Sequence, residues 1–128
     1  MNHILTCSFG KDSIATALLA LQQHGAPLDE LVYSEVMFSD TVSGELPEHK
    51  RFIYDTAIPY FEKRGIPTRV LRGQKTYLDC FYHIVSRGNA EGKLASFPLT
   101  GRCSIQRDCK LPPIRNYQKT LPQDTVYY

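Results

Sequence analysis

A polar turn set between two apolar runs constrains this chain more than any other feature. Residues 3–8, "HILTCS", are apolar and β-branched, and after the turn "IATALLALQQHG" carries apolar residues over much of a helical circumference. The reading is strand, loop, helix. Gly25 and Pro27 end the helix in the usual order of stop signals, and "ELVYSEVMF" follows as a second strand rich in Val, Tyr and Phe. A right-handed crossover through the helix makes the two strands parallel.

Elements keep alternating after that. "SDTVSGELPEHK" is a loop with Gly44 and Pro47, and it leads into "EHKRFIYDTAIPYFEKRG", where Phe52, Ile53, Ala57, Tyr60 and Phe61 recur at helical spacing. Pro59 is expected to kink or shorten that helix. "IPTRVLRG" reads as a third strand, and "YLDCFYHIVSRG" as an amphipathic helix with Leu78, Phe81, Tyr82 and Val85 inward. The alternation predicts an α/β fold built on a parallel sheet. From Asn89 the pattern weakens into a loop and a cysteine-bearing segment, "RCSIQRDCKLPPIRNYQKTL", whose prolines and few apolar residues place it outside the core. "TVYY" has strand composition, and an ending inside a strand gives the expectation of a C-terminally truncated domain. With no repeat, low-complexity tract or linker, residues 1–128 are read as one domain.

Lys plus Arg number 15 against 13 Asp plus Glu, so a formal charge of +2 supplies no field strong enough to imply nucleic acid by itself. No apolar stretch near the N-terminus approaches ~18 residues, which argues against a membrane span, and the chain is read as cytoplasmic. In that compartment Cys7, Cys80, Cys103 and Cys109 are expected as thiols.

The turn itself, "TCSFGKDSIAT", lies where free backbone N–H groups and the positive end of a helix dipole favour an anion. Gly10 allows close backbone approach, Ser8 and Ser13 offer hydroxyls, Lys11 a charge, and Asp12 a helix cap or help in placing a metal. These types suit a polyphosphate. The common GxxxxGK[ST] loop is excluded, since Leu5 stands five before Gly10 and Asp12 follows Lys11, and a GxGxxG fingerprint is absent.

"SFGKDS" resembles the SGGxDS signature of the PP-loop ATP pyrophosphatase superfamily, with Phe9 in place of its second-residue glycine. "MFSDTVSGELPEH" is similar to the strand-end Asp-Thr and following loop of phosphoadenylyl sulfate reductase-like members, and "FPLTGRCSIQRDCKLPPI" to their basic, cysteine-bearing anion segment. The resemblance implies a three-layer, doubly wound, Rossmann-like sheet of the HUP type. It further implies nucleotide binding by Ser8, Phe9, Gly10, Lys11, Asp12 and Ser13, nucleoside contact by Asp40 and Thr41, and anion binding by Arg102 and Lys110. ATP or a related adenine nucleotide, with Mg²⁺, is the implied ligand. In such a sheet the first strand lies on one side of the ligand crevice and the "TVYY" strand on the other. Phe9 removes the freedom for positive φ, so the turn is expected to take a conformation that a bulky residue tolerates. Complete members continue past "TVYY" into a further strand and helix.

Cys103 and Cys109, five residues apart, match neither a CxxC redox pair nor a common zinc spacing, and no metal-ligating set is assigned. Cys103, beside Arg102 and near Lys110, is the candidate thiolate should the reaction be sulfonucleotide reduction, and Lys11 the candidate catalytic charge should it be adenylylation. Cys7 and Cys80 read as small core residues, and His49 and His83 receive no role. The basic excess of Arg102, Arg107, Lys110, Arg115 and Lys119 suits an anion-facing loop, and RNA less well, because no aromatic residues interleave with it. Three readings stand: a PP-loop enzyme acting at the α-phosphate or on a sulfonucleotide, a non-catalytic nucleotide-binding or interaction module, and a component of an RNA- or DNA-modifying sulfurtransferase. The second predicts a homo-oligomer, because an unpaired first strand would leave an open sheet edge.

Overall fold

The computed structural model describes residues 2–23, 27–96 and 103–128; Gly25 and Arg102 lie outside the described residues. Strand β1 (His3–Thr6) enters helix α1 (Lys11–Gln22), and strands β2 (Glu30–Glu35), β3 (Thr68–Arg72) and β4 (Val126–Tyr127) complete a sheet of order β3-β2-β1-β4, parallel throughout. Leu5 stands opposite Leu31, Val32 opposite Arg69, and Ile4 opposite Tyr127. The chain therefore steps outward from β1 to β3 and then returns to the far side of β1. "TVYY" is a strand as expected, and its ladder is made by Val126 N–H to Asn2 O (2.7 Å), Tyr128 N–H to Ile4 O (2.9 Å) and Thr6 N–H to Tyr128 O (3.1 Å). With β4 in place β1 is interior, which corrects the expectation of an unpaired first strand; the sheet edges are β3 and β4.

Strand alternation distributes β2 between two layers. Leu31 and Tyr33 point into the main core with Leu5, Ala17, Ile53 and Phe61. Glu30 and Ser34 point the other way: Tyr117 of helix α5 (Leu111–Gln118) donates to Glu30 Oε1 at 2.6 Å, and Ser34 Oγ donates to the Lys110 carbonyl at 2.8 Å. Helical segments thus cover both faces, as buried parallel strands require.

Prolines meet the helical pattern in the same way at two places. Helix α2 (Pro47–Phe52) continues through a π-helical turn, Ile53–Ala57, into α3 (Ile58–Glu62), which contains Pro59. Ile58 N–H reaches back five residues to Ile53 O, and this wider turn, set just before Pro59, lets the helix continue where a break was expected. A second π turn, Gln106–Lys110, precedes Pro112 and Pro113 at the start of α5, and there Leu111 N–H likewise reaches back five residues, to Gln106 O. Residues 104–118 are accordingly helical, with Ile105, Cys109 and Ile114 buried, which overturns the loop expected there.

The amphipathic helix expected after β3 is also shorter. Helix α4 (Tyr77–Phe81) starts at a capping box in which Thr76 and Asp79 exchange hydrogen bonds, and it ends before Tyr82, which is exposed; Cys80 is its buried residue. No described helix is long and apolar enough to cross a membrane.

Among the described residues, one charge lies in the core. Glu35, 0% exposed, accepts from Arg72 Nη2 (2.9 Å) and Nε (3.2 Å) and from the Tyr54 hydroxyl (3.2 Å), while Arg72 keeps about half its surface in solvent. Removing only the guanidinium leaves a buried carboxylate without its countercharge. Arg72→Ala is expected to destabilise the fold by about 3 kcal/mol in urea denaturation, and adding Glu35→Gln is expected to recover part of the loss.

Candidate functional site

The turn between β1 and α1 opens at the C-terminal ends of β1 and β2. Gly10 is the residue before the helix, in extended conformation (φ −75°, ψ 173°), and no side chain caps the helix. Asp12 therefore supplies charge in the first turn without the capping bond expected of it, and the leading amides remain open to an anion. Ser8 Oγ lies 3.1 Å from Ser13 Oγ and accepts from Gly10 N–H at 3.4 Å, so both hydroxyls gather at the helix start.

Phe9 departs from expectation. It sits at φ +58°, in the left-handed region, yet its ring is 1% exposed and meets Tyr33 edge to face at 5.4 Å. The strain of about 1 kcal/mol for a non-glycine residue there is smaller than the 1.5–3 kcal/mol, roughly, gained by burying an aromatic ring. The ring anchors the turn from beneath, and Phe9 offers a ligand only its backbone.

Beside the turn is a cavity of about 240 Å³ lined by Ser8, Ser13, Tyr33, Ser34, Glu45 and Lys110, among others. It brings Ser8 and Ser13 together with Lys110, about a hundred residues away in sequence. Two close approaches set its walls. A Cβ at Gly44 would lie 2.7 Å from the Val36 carbonyl, so only glycine lets the loop after β2 return tightly enough to present Glu45; one at Gly73 would lie 2.7 Å from the Cys109 carbonyl, against the turn that carries Lys110.

Sequence reasoning missed Tyr33 and Glu45. Tyr33 donates to Glu45 Oε1 at 2.9 Å, and burial first, then the Glu45 bond, push its phenol above the ordinary tyrosine range, so it remains a donor. The glycine ahead of Glu45 was the available signal. Lys11 and Asp12 are exposed in the first turn of α1, outside the cavity lining. Asp40 and Thr41 are exposed at the tip of a loop closed by the Met37–Ser43 bridge. Cys103 is exposed near Tyr77, and the cavity's own thiol, Cys7, is buried with its pKa raised by that burial. Arg107 is paired with Asp108, and Arg115 and Lys119 are exposed, so the basic segment directs Lys110 alone to this cavity among the described residues.

Open amides, two hydroxyls and a lysine suit phosphate oxygens. Glu45 is one carboxylate at the same place, and no group of three or more His, Cys, Asp or Glu among the described residues forms a metal cage. That set fits Mg²⁺ shared with substrate phosphates, since this ion commonly takes one or two protein carboxylates.

The ring of Phe9 is the testable part of this geometry. Phe9→Gly relieves the backbone but empties the ring's place, and we expect a net loss of about 2 kcal/mol in urea denaturation.

No family model, curated protein or solved structure matches this chain.

Proposed function

We propose that the chain binds an adenine nucleotide through the Ser8–Ser13 turn, in the manner of PP-loop proteins with a doubly wound, Rossmann-like sheet. The observation that carries this reading is the uncapped start of α1 opening beside a polar cavity at the C-terminal ends of β1 and β2; β1 also borders the point where the strand order reverses, between β1 and β4. Ser8, Ser13 and the amides of the first helical turn hold phosphate oxygens, and Lys11 adds charge from the rim. Lys110 receives a second anionic group. Tyr33 holds Glu45 in place, where its carboxylate would help hold a divalent cation. The chemistry such an ion would supply, if it is Mg²⁺, is neutralisation of charge on a departing pyrophosphate.

Of the two reactions, displacement at the α-phosphate is better supported than sulfonucleotide reduction. Reduction needs a reactive thiolate facing the ligand, whereas Cys103 is absent from the cavity lining and Cys7 is held as a buried thiol. Displacement needs positioned donors and charge, which the turn supplies.

A non-catalytic module is the second reading, favoured by one observation: β4 has two residues and forms a sheet edge. A homo-oligomer joined along that edge would complete the sheet.

Calorimetric titration with ATP and Mg²⁺ tests the nucleotide reading. Saturable binding is expected, weakened at least about tenfold in the Lys11→Ala/Ser13→Ala variant, consistent with loss of charge-assisted contacts. A folded chain that gives no saturable heat at millimolar ATP rules the reading out in favour of the module. Glu45→Gln is expected to tighten ATP binding several-fold in the presence of a chelator, where like charges otherwise repel, and to shrink the gain that Mg²⁺ brings.

A further inference from the structure

Helix α4 and the π turn before α5 bring two thiols together. Cys80 and Cys109, 29 residues apart in sequence, have their Sγ atoms 3.4 Å from each other, both buried. Their surroundings differ. Cys80 lines an open cavity of about 300 Å³ together with Lys75, Asp79, His83, Arg107 and Asp108. Cys109 sits behind it, 1% exposed, packed with Ile105 and held where Gly73 meets its carbonyl.

The charges around this cavity are partly spoken for. Asp79 accepts from the Thr76 N–H at the start of α4, and Asp108 is held by Arg107 through two bonds of 2.9 and 3.0 Å. Lys75 and His83 also line the cavity within electrostatic reach of Asp108, and Lys75 offers an anionic visitor a cation. While both thiols are reduced, burial, followed by the hydrogen bond to Cys80, pushes the Cys109 thiol up to about 12, and the second of these causes ends once Cys80 is in a disulfide.

We propose that Cys80 and Cys109 form a reversible dithiol site, in which Cys80 is the sulfur attacked or attacking at the cavity and Cys109 resolves the product. The co-reactant is a small anionic disulfide of the glutathione type. Cys80 loses its proton to solvent and its sulfur attacks one sulfur of the disulfide, breaking that S–S bond and releasing one glutathione thiolate. Cys109 then loses its proton, attacks Cys80 Sγ and expels the second thiolate. The protein's two thiols are oxidised to one disulfide, and the glutathione disulfide is reduced to two thiols that take up the two protons. Closing the bond shortens the sulfur separation from 3.4 Å to ~2.05 Å, a shift of roughly 1.4 Å. Cys103, exposed and outside this pair, gives only a mixed disulfide.

The full chain, folded and reduced, is incubated with glutathione disulfide, quenched with acid, alkylated and mapped by mass spectrometry. The expected result is a Cys80–Cys109 cross-linked peptide, reversed by dithiothreitol, formed at least about tenfold faster than any modification of buried Cys7. Cys109→Ala is expected to accumulate a glutathionyl adduct on Cys80, because the resolving sulfur is gone. The proposal is overturned if the folded wild-type chain carries glutathione on Cys103 while Cys80 and Cys109 stay reduced. It is equally overturned if the cross-link forms no faster in the folded chain than in urea, since the native juxtaposition would then contribute nothing. Mapping of the wild-type chain decides the matter even where the alanine variant fails to fold.

Discussion

Burying the ring of Phe9 fixes where everything polar in this protein can go. The ring lies under the turn, edge to face with Tyr33, and holds the backbone at φ +58°. With that residue turned inward, Ser8 before it is exposed and Gly10 after it takes the extended conformation from which α1 begins. The start of α1 is thus oriented from the core, and Ala17, fully buried a turn and a half along, seats the helix on the sheet. A glycine at position 9 would reach the same backbone geometry without an anchor; here the packing energy of an aromatic side chain replaces the conformational freedom of glycine.

Strand β2 is the second organising element, because it sends polar groups to both layers. Tyr33, on the main-core side, ends in a hydroxyl that reaches Glu45; Ser34, on the opposite side, reaches the Lys110 carbonyl. A loop and a helical turn distant in sequence are therefore tied to adjacent residues of one buried strand. Such bonds are short and made in low-dielectric surroundings, where an unmade partner would be costly, so they define position as well as add stability. The Glu35 carboxylate one residue further on, held by Arg72 and Tyr54, ties β3 and the continuous helix from α2 to α3 to the same strand.

Periodicity made the strand, turn, helix opening legible, and composition made "TVYY" legible as a strand, because both depend on local pattern alone. Other features depend on what the chain meets in space. No local rule places a phenylalanine in the left-handed region; only the pocket beside Tyr33 does. The segment 104–118 looked like a loop because its prolines count against a helix in any window, whereas their effect depends on register, and Pro112 and Pro113 fall in the first turn after a π turn. Ser8, Ser13 and Lys110 were readable as anion-binding types and do line one cavity, while Asp40 and Thr41 stand apart on a loop tip. Glu45 went unread because a carboxylate in a loop is ordinarily a solvated one, and its role depends on the tyrosine across from it.

That carboxylate bears on which anions suit the site. Helix amides and lysines alone would attract any phosphate, free or bound to a larger molecule, and a net charge of +2 adds little selectivity from a distance. Glu45, fixed by Tyr33 in the same cavity, repels a bare polyanion at close range. A polyphosphate carrying a divalent cation meets the opposite balance: its cation finds a carboxylate and its oxygens find donors. On the nucleotide reading, the charge pattern therefore selects the metal complex over inorganic phosphate or a nucleic-acid backbone, through one fixed negative charge set beside Lys110 and the helix amides. A wholly basic cleft would bind more tightly and discriminate less.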